Sequence, residues 1–130
     1  MTLNKIKLVK LKVIKNSKGD ILKYISYDNF FFKKFGETYF SEINYNQTKG
    51  WNCHLKCQSL LAVPFGKVKF TFAENINKKK KTITIGRKNY SLIILPPGIW
   101  FNFKSLYKTS LVVNTLNKKH DDKETLKIPI

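Results

Sequence analysis

The chain is expected to fold as an all-β jelly-roll barrel, and three features of its sequence lead there. Apolar–polar alternations with a two-residue period recur along the chain, separated by turn residues about every eight to twelve positions. No segment carries a convincing helical period. Ten Phe and six Tyr, within an aromatic content of 14%, favour pleated, half-buried surfaces. Closure into a jelly roll removes the edges that so many Phe and Ile side chains would otherwise leave adhesive. A length of 130 residues corresponds to one domain, 1–130, large enough to bury a core without disulfides.

The elements follow in order. Lys5 to Ile14 alternates Lys with Ile, Leu and Val except for a slip at Leu8-Val9, predicting one strand with a bulge. Asn16 to Asp20 is a turn, Ile21 to Tyr27 a second strand, and Asp28-Asn29 its end. Phe30-Phe31-Phe32, followed by Lys33-Lys34, reads either as an aromatic platform for bases or, more commonly for such runs, as an anchor covering the core. Thr38 to Tyr45 is a strand with Phe40, Glu42 and Asn44 on one side and Tyr39, Ser41, Ile43 and Tyr45 on the other. Pro64-Phe65-Gly66 turns the chain into Lys67 to Ala73, whose Val68, Phe70 and Phe72 point inward. Glu74 to Lys81 reads as a solvated loop. Further strands are expected at Thr82 to Ile85, Tyr90 to Leu95, Ile99 to Phe103 and Ser110 to Thr115, before a polar tail with one helical turn from Leu116 onward.

Polar chemistry concentrates in Lys49 to Gln58. Alternation places Asn52, His54, Lys56 and Gln58 on one face and Trp51, Cys53, Leu55 and Cys57 on the other. A base, an amine and two amides in a row suit a strand lining the mouth of a small barrel, although a solvated edge strand gives the same spacing. His54 and His120 are the only histidines, and alternation sets Cys53 and Cys57 opposite His54, so no metal and no cofactor is expected. Glycine-rich phosphate loops and a nucleophile elbow are both absent.

The net charge of +17 and pI near 10.0 favour anionic partners. Arg87 is the only arginine, however, and arginine is the better reader of phosphate and base edges. Lysine here accompanies abundant Asn, Ile, Phe and Tyr, so biased composition accounts for much of the charge, and a nucleic-acid partner is the less favoured reading. No run of about 18 apolar residues is present, and Met1 to Lys15 interleaves Lys with apolar residues, so no membrane partner is expected. Cys53 and Cys57, about 13 Å apart on an extended strand, cannot form a disulfide; two free thiols suit the cytoplasm.

The segments Gly36-Glu37-Thr38-Tyr39-Phe40-Ser41-Glu42, Lys49-Gly50-Trp51-Asn52-Cys53-His54, Pro64-Phe65-Gly66-Lys67, Leu95-Pro96-Pro97-Gly98-Ile99-Trp100 and His120-Asp121, taken in that order, resemble the short cupins related to dTDP-4-dehydrorhamnose 3,5-epimerase. Lys49 to His54 is also similar to the Arg-Gly-x-His-x-His pattern of the dTDP-sugar 3,4-ketoisomerases. The resemblance implies a cupin-type jelly roll, metal-free and homodimeric. It also implies an isomerase acting on a dTDP-4-keto-6-deoxyhexose by proton abstraction alpha to the ketone, in nucleotide-sugar and surface polysaccharide biosynthesis.

Carried onto this chain, the pattern makes His54, Asn52, Lys56 and Tyr45 the catalytic candidates, with Tyr39 or Tyr107 as other sources of a phenol. Lys18, Glu42, Lys49, Gln58, Trp100 and Phe103 are the substrate-binding candidates. Asn52 stands where the pattern usually has His, the expected base, and asparagine cannot accept a proton. Either His54 acts instead, or the reaction differs, or the protein binds a nucleotide sugar without turning it over. Phe101 occupies the place of a metal-binding His in the second cupin motif.

Overall fold

The computed structural model describes residues 2–119, 121 and 123–129. His120 therefore lies outside the described residues. A short 3-10 turn, Thr2–Lys5, precedes twelve strands, and none of the described residues is α-helical. The strands are β1 (Lys7–Lys10), β2 (Val13–Ile14), β3 (Ile21–Leu22), β4 (Glu37–Asn44), β5 (Thr48–His54), β6 (Ser59–Phe65), β7 (Lys67–Ala73), β8 (Lys80–Gly86), β9 (Ser91–Leu95), β10 (Trp100–Ser105), β11 (Thr109–Leu116) and β12 (Thr125–Lys127).

Two five-stranded antiparallel sheets, β1-β9-β6-β11-β4 and β12-β5-β10-β7-β8, face each other. From β4 onward every connection except β7–β8 crosses from one sheet to the other, which is the jelly-roll expectation met. Alternation is the cause: Val68, Phe70 and Phe72 of β7 and Phe101 and Phe103 of β10 turn inward to a core shared with Leu61, Ile93 and Val112. Phe70 and Phe72 are fully buried, each contributing about 2–3 kcal/mol of apolar transfer free energy.

Several boundaries differ from the sequence expectation. Lys5 to Ile14 is two strands, because the chain leaves the sheet at Leu11 to form the separate β2-β3 hairpin. Val9, Leu11 and Val13 then pack with Leu22 and Tyr24 against the outer face of the first sheet. Phe31 is buried in that same cluster, so the Phe run serves as an anchor, with Phe30 left exposed. The strand expected from Ile21 to Tyr27 covers only Ile21–Leu22. β8 begins at Lys80, inside the expected loop, because its register with β7 continues to the Ala73–Lys80 pair. In the tail, Thr125–Lys127 adds a strand beside β5.

β5 carries the main irregularity. Asn52 pairs with Phe101 and Gly50 with Asn102, leaving Trp51 as an extra residue, a β-bulge. Gly50 has φ +119°, and a Cβ there would lie 2.7 Å from the Phe101 carbonyl oxygen, so only glycine fits without displacement. The bulge inverts the alternation. Lys49 comes to share the inner face with Asn52 and His54 instead of opposing them.

Candidate active site

His54 ends β5, and its backbone is fixed on both sides. Its carbonyl accepts a hydrogen bond from the Gly98 amide at 2.7 Å, where Pro96-Pro97-Gly98 turns into β10, and its strand partner on β12 is Thr125. The ring is buried and stacks on Phe101 at an interplanar angle of 27°, with centroids 6.1 Å apart. It is not a solvated mouth residue.

The residue immediately before β12 completes this corner. Glu124 is buried and approaches His54 Nδ1 to 2.9 Å with Oε1. Its Oε2 accepts the backbone amides of Lys56 at 2.9 Å and Cys57 at 3.0 Å, and the Thr125 hydroxyl donates to Oε1 at 3.0 Å. Burial pushes this carboxyl up, but the hydrogen bonds from His54, the Lys56 amide, Thr125 and Cys57 outweigh it and bring the pKa down to about 2. Glu124 is therefore ionised at neutral pH. A carboxylate at 2.9 Å fixes the proton on Nδ1 and leaves Nε2 as the basic nitrogen of the neutral ring.

His54 and Asn52 line a cavity of about 170 Å³, roughly the size of one sugar ring. Leu61, Phe101, Phe103 and Val112 form apolar walls. Tyr39 and Asn114, from the first sheet, face the two β5 residues, and the Asn114 Nδ2 amide donates to the Tyr39 hydroxyl oxygen at 3.1 Å. Burial pushes the Tyr39 phenol above its ordinary value, against the lowering effect of the Asn114 bond, so it keeps its proton at neutral pH. Lys49 and Lys127 are exposed lysines lining the same cavity, and Lys49 Nζ donates to Ser41 Oγ at 2.9 Å. The site thus joins a buried base, a protonated phenol and amides to a cationic rim.

Of the residues expected at the site, His54, Asn52, Lys49 and Phe103 line this cavity, as does Tyr39, one of the alternative sources of a phenol. Lys56 and Gln58 do not, because β5 stops at His54 and alternation no longer applies beyond it; the Gln58 amide instead donates to the Phe31 carbonyl at 2.9 Å. Tyr45 is exposed in a bridge to Ser105, past the end of β4. Glu42 is exposed, opposite Leu111 on the outer face of the first sheet. Trp100 pairs with Cys53 and Ala73 on the outer side of β10. Lys18 lies in the turn of the β2-β3 hairpin, where its amide donates to Asn16 Oδ1. Tyr107 is exposed against Phe65.

Sequence reasoning missed Glu124, Lys127 and Asn114. Thr125 to Ile128 does alternate polar and apolar residues, a short strand signal hidden in a polar tail.

The expectation that Cys57 opposes His54 is also corrected. The turn after β5 brings its thiol beside Glu124, and donor atoms of His54, Cys57 and Glu124 lie within 4.8 Å of one another. These three residues are where a metal could be held. The carboxylate oxygens already accept the hydrogen bonds described above, and burial followed by Glu124 pushes the Cys57 thiol up to about 11, so the thiol keeps its proton at neutral pH.

Residues 4–127 match the family described as FdtA: WxcM-like, C-terminal. A dTDP sugar isomerase from Desulfovibrio desulfuricans G20 superposes with a TM-score of 0.91 at 30% identity, over 96% of this chain and 84% of that one. At 19% identity and a TM-score of 0.77, the fold is also that of a His→Asn variant of the 3,4-ketoisomerase QdtA from Thermoanaerobacterium thermosaccharolyticum, in complex with TDP-4-keto-6-deoxyglucose, over 93% of this chain and 86% of that one. The 3,5-epimerase RmlC from Legionella pneumophila, in complex with dTDP-4-keto-L-rhamnose, gives a TM-score of 0.81 at 13% identity, over 95% and 72%. No curated protein matches the chain by sequence. From its sequence match and its fold, the chain belongs to the FdtA, WxcM-like C-terminal family.

Proposed function

We propose that this protein is a sugar-nucleotide isomerase or epimerase that moves a proton alpha to the ketone of a dTDP-4-keto-6-deoxyhexose. The single observation that carries the reading is the convergence of His54, held by Glu124, and Tyr39, held by Asn114, on one cavity of sugar-ring size. His54 Nε2 removes the proton from the carbon next to the ketone. The C–H electron pair becomes the C=C bond of the enolate, and the negative charge develops on the former ketone oxygen. The Tyr39 hydroxyl and the Asn52 amide are the donors available to that oxygen, and the Glu124 carboxylate stabilises the imidazolium formed in the same step. Return of the proton to the same carbon on its opposite face gives an epimer; delivery of a proton to the former carbonyl carbon, while the adjacent hydroxyl gives up its proton to the former ketone oxygen and becomes the new carbonyl, gives a ketoisomer.

Lys49 and Lys127 supply the charge a diphosphate needs at the cavity's rim, and the wider positive charge of the chain draws it there. The relatives support the substrate class: one is a dTDP sugar isomerase, and two others hold a TDP- or dTDP-linked keto sugar. The same reading takes residues 1–130 as one enzyme domain, working as a homodimer in the cytoplasm on the way to saccharides. The buried free thiols of Cys53 and Cys57 support a reducing compartment, and Phe40, exposed on the edge strand β4, supports association.

Asn52 favours a second reading, a protein that binds the nucleotide sugar and turns it over poorly. One experiment separates the two. Proton NMR of dTDP-4-keto-6-deoxyglucose in deuterated buffer with catalytic protein should show loss of the C3 or C5 proton signal faster than in a protein-free control. Persistence of both signals, with saturable TDP binding, would leave the binder.

A further inference from the structure

We infer that Asn114 selects the substrate by accepting a hydrogen bond from a ring hydroxyl of the hexose, in addition to orienting Tyr39; this rests on the proposed substrate class. Asn114 lies on the inner face of β11, paired with Tyr39 on one side and Leu61 on the other, and its side chain lines the cavity. Only 3% of the residue is exposed. Nδ2 donates to the Tyr39 oxygen, whereas Oδ1 is fully buried and has no partner among the described residues. A buried amide oxygen left unpaired is destabilising, and it becomes a source of discrimination when a ligand brings the missing donor. The chemical class of that donor follows from the surroundings. The neighbouring walls are apolar, so a hydroxyl on the ring enclosed by them is the fitting group.

The two halves of the amide cooperate. Because Nδ2 donates to the phenol oxygen, the Tyr39 proton does not point back at that group and is free to donate into the cavity. A sugar hydroxyl bound at Oδ1 then fixes the ring beside the same phenol. Sites built to pair a substrate hydroxyl reject the analogue that lacks it far more strongly than apolar pockets reject a missing methylene.

The test compares binding of TDP, a TDP-4-keto-6-deoxyhexose and its 2-deoxy and 3-deoxy analogues to the wild type, Asn114→Leu and Asn114→Asp. The wild type should bind one of the deoxy analogues on the order of 10- to 100-fold more weakly than the parent sugar. Asn114→Leu, nearly isosteric, should lose that preference while still binding TDP. Asn114→Asp, which keeps an acceptor and loses the donor to Tyr39, should retain it. A preference that survives in Asn114→Leu, or no preference in the wild type, overturns the inference alone. Failure of the wild type to bind any TDP-sugar overturns the substrate class and the inference with it.

Discussion

Glu124 Oε1 lies 2.9 Å from Nδ1 of His54 across 70 positions of sequence, both residues buried where β12 pairs with β5. The pair gives the histidine a fixed ring orientation and a defined basic nitrogen. It also makes His54 a structural residue. Replacing His54 by Ala would leave an ionised carboxylate buried beside an empty space, so lost activity would not separate chemistry from folding. Glu124 is the better point of attack.

Glu124→Gln keeps the shape and one acceptor oxygen but removes the charge that stabilises the imidazolium. Turnover should fall on the order of 100-fold while TDP binding changes little. Glu124→Ala should in addition lower the unfolding midpoint, because the Lys56 and Cys57 amides lose their acceptor. Isotope-exchange rates and thermal melts check the two effects separately. Full activity in Glu124→Gln would remove the pair from the mechanism.

The same carboxylate should shape acid stability. Its folded pKa, about 2, lies below the ordinary 4.5, so its contribution is fully present above about pH 4.5 and is lost as the pH falls toward 2. Denaturant unfolding of the wild type should therefore weaken across that window. In Glu124→Gln the decline should be shallower, since this group no longer titrates.

Tyr39→Phe tests the phenol. If the Tyr39 hydroxyl donates a hydrogen bond to the developing oxyanion, turnover should drop by roughly 10² to 10³, with TDP affinity and fold unchanged. Tyr45→Phe, on an exposed residue outside the cavity, should leave turnover within about twofold. A reversed order of effects would return the role to Tyr45.

Asn52→His restores the residue type that the sequence pattern leads one to expect. Exchange of the substrate's C3 or C5 proton should accelerate if this position has lost a base. An unchanged rate would assign proton abstraction to His54 alone.

Lys49→Ala and Lys127→Ala should each weaken TDP binding, by up to about tenfold, with the loss greatest at low ionic strength. Titrations at two salt concentrations read this out. Lys18→Ala, on the β2-β3 hairpin, serves as the control for nonspecific charge.

Much of the architecture is local information. Val68, Phe70 and Phe72, and again Phe101 and Phe103, announce their inward face by spacing alone, because a strand's side chains alternate whatever it pairs with. The Gly36 to Glu42 and Lys49 to His54 segments carried the family likeness, and His54 stood out as one of two histidines. Alternation failed where the backbone ceased to be a regular strand. Lys56 and Gln58 fell out of the site because β5 ends at His54, and Lys49 entered it because the bulge at Trp51 inverted the parity.

The amino-acid sequence by itself determined the all-β class and the composition of the core, and it singled out the histidine that lines the cavity, since these depend on residue type and near-neighbour periodicity. Tertiary structure alone decided which carboxylate holds His54, which tyrosine faces it and which lysines rim the cavity. Glu124, Tyr39, Asn114 and Lys127 are brought to β5 by the β12 pairing and by the packing of one sheet on the other. Such juxtapositions depend on contacts between residues distant in the chain, and no local period records them.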